Sequence, residues 1–369
     1  MGDCDVAIIG AGIIGASIAY ELASRGASVR VLDGRSAGRG ATQAAAGMLA
    51  PYIEGFGKPI LTLAVRSLGM YDDFVGRVTA DSGMAVDYRR DGSLQVTTAG
   101  EPAEELHALQ ATAIAAGVRC ALLDAPQIRD LEPLMAPDVA TGILIPDHGV
   151  VVPGSLSRAL TAAAARRGAR FQTDRRVESV THREGGFRLE LNGGRLEARR
   201  VVIAAGCWSG LLPIGGTPPL PVRPVRGQLL HLRSAGASPR HILWGAGCYI
   251  APSSEGAMSV GATVEEVGFD ERATASAVRD LLDAATELVP SLRQSTFEGA
   301  CVGLRPGTPD EMPIMGRSLT HTGLFYATGH FRNGILLAPL TGRVMADLIL
   351  DNREDAVLAA TSPQRFGEY

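Results

Sequence analysis

The stretch Asp5-Val-Ala-Ile-Ile-Gly10-Ala-Gly12-Ile-Ile-Gly15-Ala-Ser-Ile-Ala-Tyr-Glu-Leu-Ala-Ser-Arg-Gly-Ala-Ser-Val-Arg-Val-Leu-Asp33 decides the fold. An apolar run from Val6 to Ile9 enters three glycines spaced G-x-G-x-x-G, a 3.6-period apolar pattern follows from Ile18 to Leu22, and a second apolar run, Val29 to Leu32, ends at a carboxylate. This reads as strand, glycine turn, helix, strand and acid, a βαβ unit that binds a dinucleotide. Gly10 permits the tight turn, Gly12 lets backbone approach a pyrophosphate, and Gly15 lets the helix pack close on the strand. The phosphates would meet the N–H groups that open the helix at Ile13 and Ile14, where the dipole favours negative charge. Asp33 is placed to accept hydrogen bonds from ribose hydroxyls. The motif alone does not separate FAD from NAD.

A chain of 369 residues, 46% hydrophobic and 20% charged, has room for a large core and two domains. A net charge of −4, with no basic run broken by aromatics, gives no reason to expect nucleic acid. Lys58 is the only lysine, so nearly all positive charge is arginine. Five cysteines, an odd number set far apart without C-x-x-C spacing, read as reduced thiols of a cytoplasmic protein. Asp3 and Asp5 stand where a signal peptide would carry basic residues, and no run of apolar residues is long enough to span a membrane. The histidines are scattered without ligand spacing, so no metal site is expected.

From Gly34 to Pro51 side chains stay small until Met48, which lets backbone lie against something flat and large, such as a flavin's ribityl chain and ring. Ile60 to Val78 reads as one amphipathic helix, and Val86 to Thr98 as two strands around an Asp91-Gly92 hairpin turn. Helices follow near 104–116 and 125–131. Gly154 to Arg167 is a helix with Ser155 or a neighbour as cap and Gly168 as its stop. Phe187 to Ala198 is a hairpin over Asn192-Gly193-Gly194, and Arg200 to Gly206 is a buried strand ending in glycine. Near-successive strands run from Pro218 to Pro306, interrupted by a helix over 273–289, and a last strand, 324–329, leads into a helix from Gly334 to Leu350. The pattern predicts an α/β chain: a Rossmann-like nucleotide domain from residues 1–84, 150–217 and 316–369, with an inserted α+β domain built on an antiparallel sheet from 85–149 and 218–315.

Five segments together, Gly10 to Gly15, Ala44-Ala-Ala-Gly-Met48, Val260-Gly-Ala-Thr263, Gly303-Leu-Arg-Pro-Gly-Thr-Pro309 and Gly329-His-Phe-Arg-Asn-Gly-Ile-Leu-Leu-Ala-Pro339, resemble the D-amino-acid oxidase and sarcosine oxidase family of flavoproteins, in its glycine-oxidase branch, which serves thiamine biosynthesis. The resemblance covers essentially the whole chain, and the last segment is the one specific to that branch. It implies FAD rather than NAD, and oxidation of a small amino acid or amine (glycine, sarcosine or a short D-amino acid) to an imino acid, with O₂ as acceptor and hydrogen peroxide as product. It implies FAD contacts at Gly34, Ala41, Thr42, Ala46, Gly47, Met48, Gly206, His330, Arg332, Asn333, Gly334, Ile335 and Leu336, with Val177 meeting the adenine through its backbone. It also implies that Tyr249, Arg305 and Arg332 hold the substrate carboxylate. A homo-oligomer is compatible with it.

The residues give this chemistry a physical reading. Hydride transfer to flavin N5 needs a substrate held so that its Cα–H points at that atom, and arginine grips a carboxylate with two parallel N–H bonds that fix orientation as well as position. The helix start at Gly334 to Leu337 would place its positive end at the N1/O2 edge of a reduced flavin. Relatives that bind flavin covalently use a cysteine where Gly303 stands here, and Cys301, about 7 Å along the strand, is displaced, so FAD is expected without a covalent bond. With Lys58 the only lysine, other positive groups such as His330 or an arginine would assist O₂. Gly247 stands where glycine oxidases place a histidine and Val264 where they place a methionine, which leaves substrate preference open. So is the acceptor: a dehydrogenase feeding a quinone or protein partner, and a non-catalytic FAD-binding subunit, are the alternatives. An NAD-dependent reductase lacks a second glycine fingerprint, and Gly206-Cys-Trp-Ser-Gly210 sets its serine one place too late for a hydrolase's nucleophile elbow.

Overall fold

A computed structural model describes residues 4–54, 59–234, 236–367 and 369. Its first sheet grows from the opening motif. Strand Cys4–Ile9 lies between two parallel partners, Val29–Leu32 and the end of Gly194–Ile203, flanked in turn by parallel Arg170–Gln172 and Leu324–Thr328. The first half of Gly194–Ile203 pairs antiparallel with Gly186–Leu191, which pairs with Val177–Arg183. One long strand thus joins the parallel sheet to a meander.

Helix Ile13–Ser24 follows the glycine turn and is buried at all but its last residue, so it carries no polar face. It packs between Pro153–Arg166 and Gly334–Asp351 in a core that also holds Tyr71, Phe74 and Val31. With helices packed on it, the parallel sheet opens at its carboxyl edge, where ligands bind in such folds.

The second sheet runs in the order Thr296–Gly307, Arg223–Arg233, Ala257–Gly261, Tyr249–Pro252, Ile242–Trp244, Ser93–Thr98, Val139–Ile145, Ala121–Asp124. Its neighbours are antiparallel except Ile242–Trp244 with Ser93–Thr98, the seam between segments far apart in sequence that no hairpin can connect. A third sheet of Met48–Leu49, Gly149–Val151 and Tyr88–Arg89 lies at the passage between the other two.

Three local expectations are corrected. Asp91-Gly92 does not close a hairpin: Tyr88–Arg89 joins the third sheet and Ser93–Thr98 the second, because each finds a better partner elsewhere and Gly92 donates its N–H to the His148 carbonyl (3.0 Å). The single helix expected over 60–78 is two, Ile60–Leu68 and Tyr71–Ser82, separated at Gly69 and Met70. Ser155 is not the cap of the next helix. Pro153 opens it after Val152, and the Ser155 hydroxyl donates to the Val152 carbonyl while accepting from the Asp87 N–H.

Two of the buried histidines, His148 and His330, are held neutral by this packing. His148 is fully buried, accepts the Tyr52 N–H at Nε2 and therefore donates from Nδ1 to the Ser93 hydroxyl (2.7 Å). Burial pushes its pKa from 6.5 down to about 3, and does the same to His330. A depressed base stays neutral in the fold while the unfolded chain takes up a proton below 6.5, so stability is present above that pH and is lost on acidification, by up to about 1.4 kcal/mol per pH unit per histidine. The melting temperature of the holoprotein should fall between pH 7 and pH 5, a window above the titration of the paired carboxylates. His148→Gln should flatten that fall. A melting curve unchanged across the window would contradict the assignment.

Candidate active site between the two sheets

The glycine turn meets steric demands at two positions. Gly10 has φ +111°, and a Cβ there would lie 2.2 Å from the Ala204 carbonyl oxygen. At Gly15 a Cβ would lie 1.9 Å from the Gly10 carbonyl oxygen, so helix and turn touch backbone to backbone. At Gly12 a Cβ would meet only the Thr42 hydroxyl, at 3.3 Å, which leaves its open side for a ligand. Gly12 is also the helix N-cap and brings no side chain to the first turn. Thr42 accepts the Ile13 N–H (3.0 Å), tying the small-residue stretch to the helix start. Asp33 accepts the Ala11 N–H (2.7 Å) and the Arg35 N–H (2.8 Å). Burial raises its pKa while these bonds oppose the rise, and a carboxylate's oxygens keep acceptor capacity for a ribose hydroxyl.

These groups open onto one cavity of about 1040 Å³, at the upper end of the range for enclosed small-molecule sites. At one end it is lined by Gly10, Gly12, Ile13, Ile14, Asp33 and Gly34, with Val177 and Gly206 nearby. Ala41, Thr42, Ala46 and Gly47 form a wall of small residues that ends at Met48. His330, Arg332, Asn333, Gly334, Ile335 and Leu336 contribute the start of helix Gly334–Asp351, so two helix N-termini face the same space. Tyr249 and Arg305 line it from the second sheet. Of the residues expected from the sequence to hold cofactor or substrate, Gly15 is the one that does not reach the cavity. Its role is the packing described above.

The far end is organised around arginines. The Phe331 N–H donates to the Pro306 carbonyl (3.0 Å), which laces the segments carrying Arg305 and Arg332 together. Nη1 of Arg305 donates to the carbonyls of Thr263 (3.0 Å) and Arg226 (3.3 Å). On the opposite face of the sheet Arg226, 4% exposed, pairs with Glu265 (2.5 Å) and Asp270 (3.0 Å), while Gln228 and Thr263 also bond Glu265. Arg226 holds the Glu265 carboxyl down at about 2. This network fixes the 263–270 loop and with it the carbonyl that Arg305 grips. Among the described lining residues the carboxylates are Asp33 and Glu178, both at the nucleotide end, so the arginine end is electropositive.

Other lining residues carried little signal in the sequence. Arg35 stacks 4.1 Å over the Trp208 ring and pairs with Glu271 (3.0 Å), joining the nucleotide side to the 263–274 loop. Trp244 lies against Tyr249 with ring centroids 5.2 Å apart. Arg35 was readable as the basic residue two places beyond the acid. Trp244 ends strand Ile242–Trp244 and Trp208 lies in the short helical turn Gly206–Leu211, and their place at the cavity follows from how the two sheets meet, which no local pattern reports.

Several expectations change here. His330 is not a positive group: it is 2% exposed, neutral by the shift given above, and its Nε2 lies 3.0 Å from the Thr341 hydroxyl. Lys58 lies outside the described residues. Gly247 lines the cavity, but Val264 does not and is half exposed. The Cys301 thiol donates to the Gln43 carbonyl (3.7 Å) and burial raises its pKa, while Cys248, which does line the cavity, is pushed up to about 12. Neither is a thiolate near neutral pH. Ser209 is buried and donates to Thr328, as suits a structural serine.

The nucleotide turn, the small-residue wall and the arginine end inside one cavity define an FAD-dependent oxidoreductase, and comparison with known proteins agrees. The family model for FAD-dependent oxidoreductases of the DAO type matches residues 5–348, and the chain belongs to that family. Glycine oxidase of Geobacillus kaustophilus is 34% identical over 94% of this chain and 92% of its own, and its crystal structure superposes with a TM-score of 0.93 over 99% of both chains. The bifunctional ThiO/ThiG protein of Synechocystis is 36% identical over 98% of this chain, which spans about half of that longer protein, 54%. In class the chain is an FAD-dependent amino-acid oxidase.

Proposed function

We propose that the enzyme oxidises glycine or another small amine bearing a carboxylate, such as sarcosine or a short D-amino acid, to the imino acid, with O₂ as electron acceptor and hydrogen peroxide as product, in supply of thiamine thiazole synthesis. The observation that carries this reading is that Arg305, Arg332 and Tyr249 line the same cavity as the dinucleotide turn. The cradle suits FAD: the open side of Gly12 admits a pyrophosphate, Asp33 a ribose, and the wall of alanines and glycines a flat ring. When bound, FAD supplies the two-electron acceptor, held without a covalent bond because the nearby thiols are protonated.

The rest falls to the chain's own residues. Arg305 and Arg332 bind the substrate carboxylate, which overcomes the loss of its hydration, and their fixed geometry sets the direction of the Cα–H bond. Tyr249, resting on the second sheet beside them, donates its hydroxyl proton to the same carboxylate. The nucleotide segments (4–84, 150–217, 316–369) and the second-sheet segments (85–149, 218–315) act as the two walls of this site. With His330 neutral, the positive field comes from arginines and from the start of helix Gly334–Asp351.

Peroxide release in air separates this reading from its neighbours. Purified holoprotein given glycine, sarcosine and D-alanine should yield peroxide with at least one of them. Turnover with an artificial quinone and none with O₂ would reassign the acceptor.

A further inference from the structure

We infer that Gly227 and Gly261 are positioning residues, whose missing side chains form the floor on which Arg305 and Tyr249 lie and so set the spacing that admits one carboxylate. The inference rests on the function proposed above and goes beyond it.

The registers place these residues in one row. Arg305 pairs with Val225 and Gly303 with Gly227 on the first two strands of the second sheet; Leu229 pairs with Gly261, which pairs with Tyr249. Directly paired residues, and residues two apart on a strand, share a face. Arg305, Gly227, Gly261 and Tyr249 therefore stand on the same side, the cavity side. A Cβ at Gly227 would lie 2.3–2.4 Å from Nη1, Cζ and Nη2 of Arg305, so the guanidinium rests face-on over that glycine. A Cβ at Gly261 would lie 2.4 Å from the Tyr249 hydroxyl oxygen. Gly227 and Gly261 are diagonal neighbours, roughly 7–8 Å apart. That spacing is filled by one carboxylate with a hydrogen bond on each side.

The atoms obstructed are side-chain atoms at both positions: at 227 the guanidinium of Arg305, and at 261 the Tyr249 hydroxyl with the ring carbons beside it, at 2.6 and 2.9 Å. A methyl at 227 can be accommodated by lifting the guanidinium by about an ångström, away from its hold on the carbonyls of Thr263 and Arg226, while the strand itself tolerates alanine. Gly227→Ala should therefore fold, keep its FAD and misplace the anchor.

The test uses FAD-loaded wild type, Gly227→Ala, Arg305→Ala and the double variant, with acetate as a carboxylate probe in calorimetric titration and glycine kinetics in parallel. FAD content of Gly227→Ala should match wild type and its melting temperature should fall no further than that of Arg305→Ala, with acetate bound at least tenfold more weakly and KM for glycine raised by a similar factor. In the Arg305→Ala background the second substitution should add no further loss, because the glycine acts through that arginine. Gly261→Ala should weaken acetate in the same way unless Tyr249→Phe is already present. Acetate binding by Gly227→Ala equal to wild type, a melting temperature below that of Arg305→Ala, or a loss of FAD content would overturn the inference. If Arg305→Ala itself binds acetate normally, it is the underlying carboxylate clamp that fails.

Discussion

Arg305→Ala should lower kcat/KM for the preferred amine by about 10²–10³-fold, roughly 3–4 kcal/mol of transition-state stabilisation, while the protein stays yellow. The magnitude follows from what is removed. A guanidinium gripping a carboxylate in a water-poor cavity contributes both charge and a fixed direction, and truncation leaves the substrate's charge facing apolar walls and an emptied space. The loss should fall on kcat as well as KM, since a substrate held by Arg332 and Tyr249 alone still enters but no longer points its Cα–H bond reliably. The half-buried Thr263 carbonyl loses a donor and the Arg226 carbonyl keeps only the Glu265 N–H, at a cost of about 1 kcal/mol in stability. Arg305→Lys should recover little, because a point charge cannot reproduce the planar fork. Steady-state kinetics with a matched FAD content checks this.

The second large effect separates glycines that look alike in the sequence. Gly10→Ala places a methyl 2.2 Å from the backbone oxygen of Ala204 at φ +111°, where neither a rotamer change nor a side-chain shift relieves the contact. Destabilisation on the order of 4 kcal/mol is expected, with loss of FAD as a consequence of a disturbed turn. Gly12→Ala should leave the apoprotein folded, because its methyl meets only the Thr42 hydroxyl at 3.3 Å, yet weaken FAD binding by standing where the pyrophosphate approaches. Thermal melts of the apoproteins and FAD titrations distinguish the two. Equal apoprotein stability of the two variants would show that the roles have been misassigned.

Much of this was legible because its causes are local. The strand, glycine turn, helix and acid sit within one contiguous stretch, and Gly10, Gly12 and Asp33 occupy the places their spacing implies. Helices of largely apolar content, such as Gly334–Asp351, were equally readable. What escaped depends on partners far along the chain. Asp91-Gly92 carries the chemistry of a hairpin turn, but strand Ser93–Thr98 pairs with Val139–Ile145 and Ile242–Trp244 instead. His330 looked like a positive charge in a motif, and only its enclosure shows that it stays neutral. The glycine floor beneath Arg305 and Tyr249 arises from cross-strand register, so Gly227 and Gly261 look like ordinary strand glycines until four strands are assembled.

The central claim is that one cavity holds FAD and a small carboxylate-bearing amine in reacting contact. Its most direct measurement is anaerobic: purified protein, assayed for bound FAD by absorbance, is mixed with glycine, sarcosine and D-alanine in turn while the flavin band near 450 nm is followed. We predict close to one FAD per chain and bleaching of that band by at least one of these amines. A colourless protein that takes up no FAD, or a yellow one that none of the three bleaches, would contradict the account.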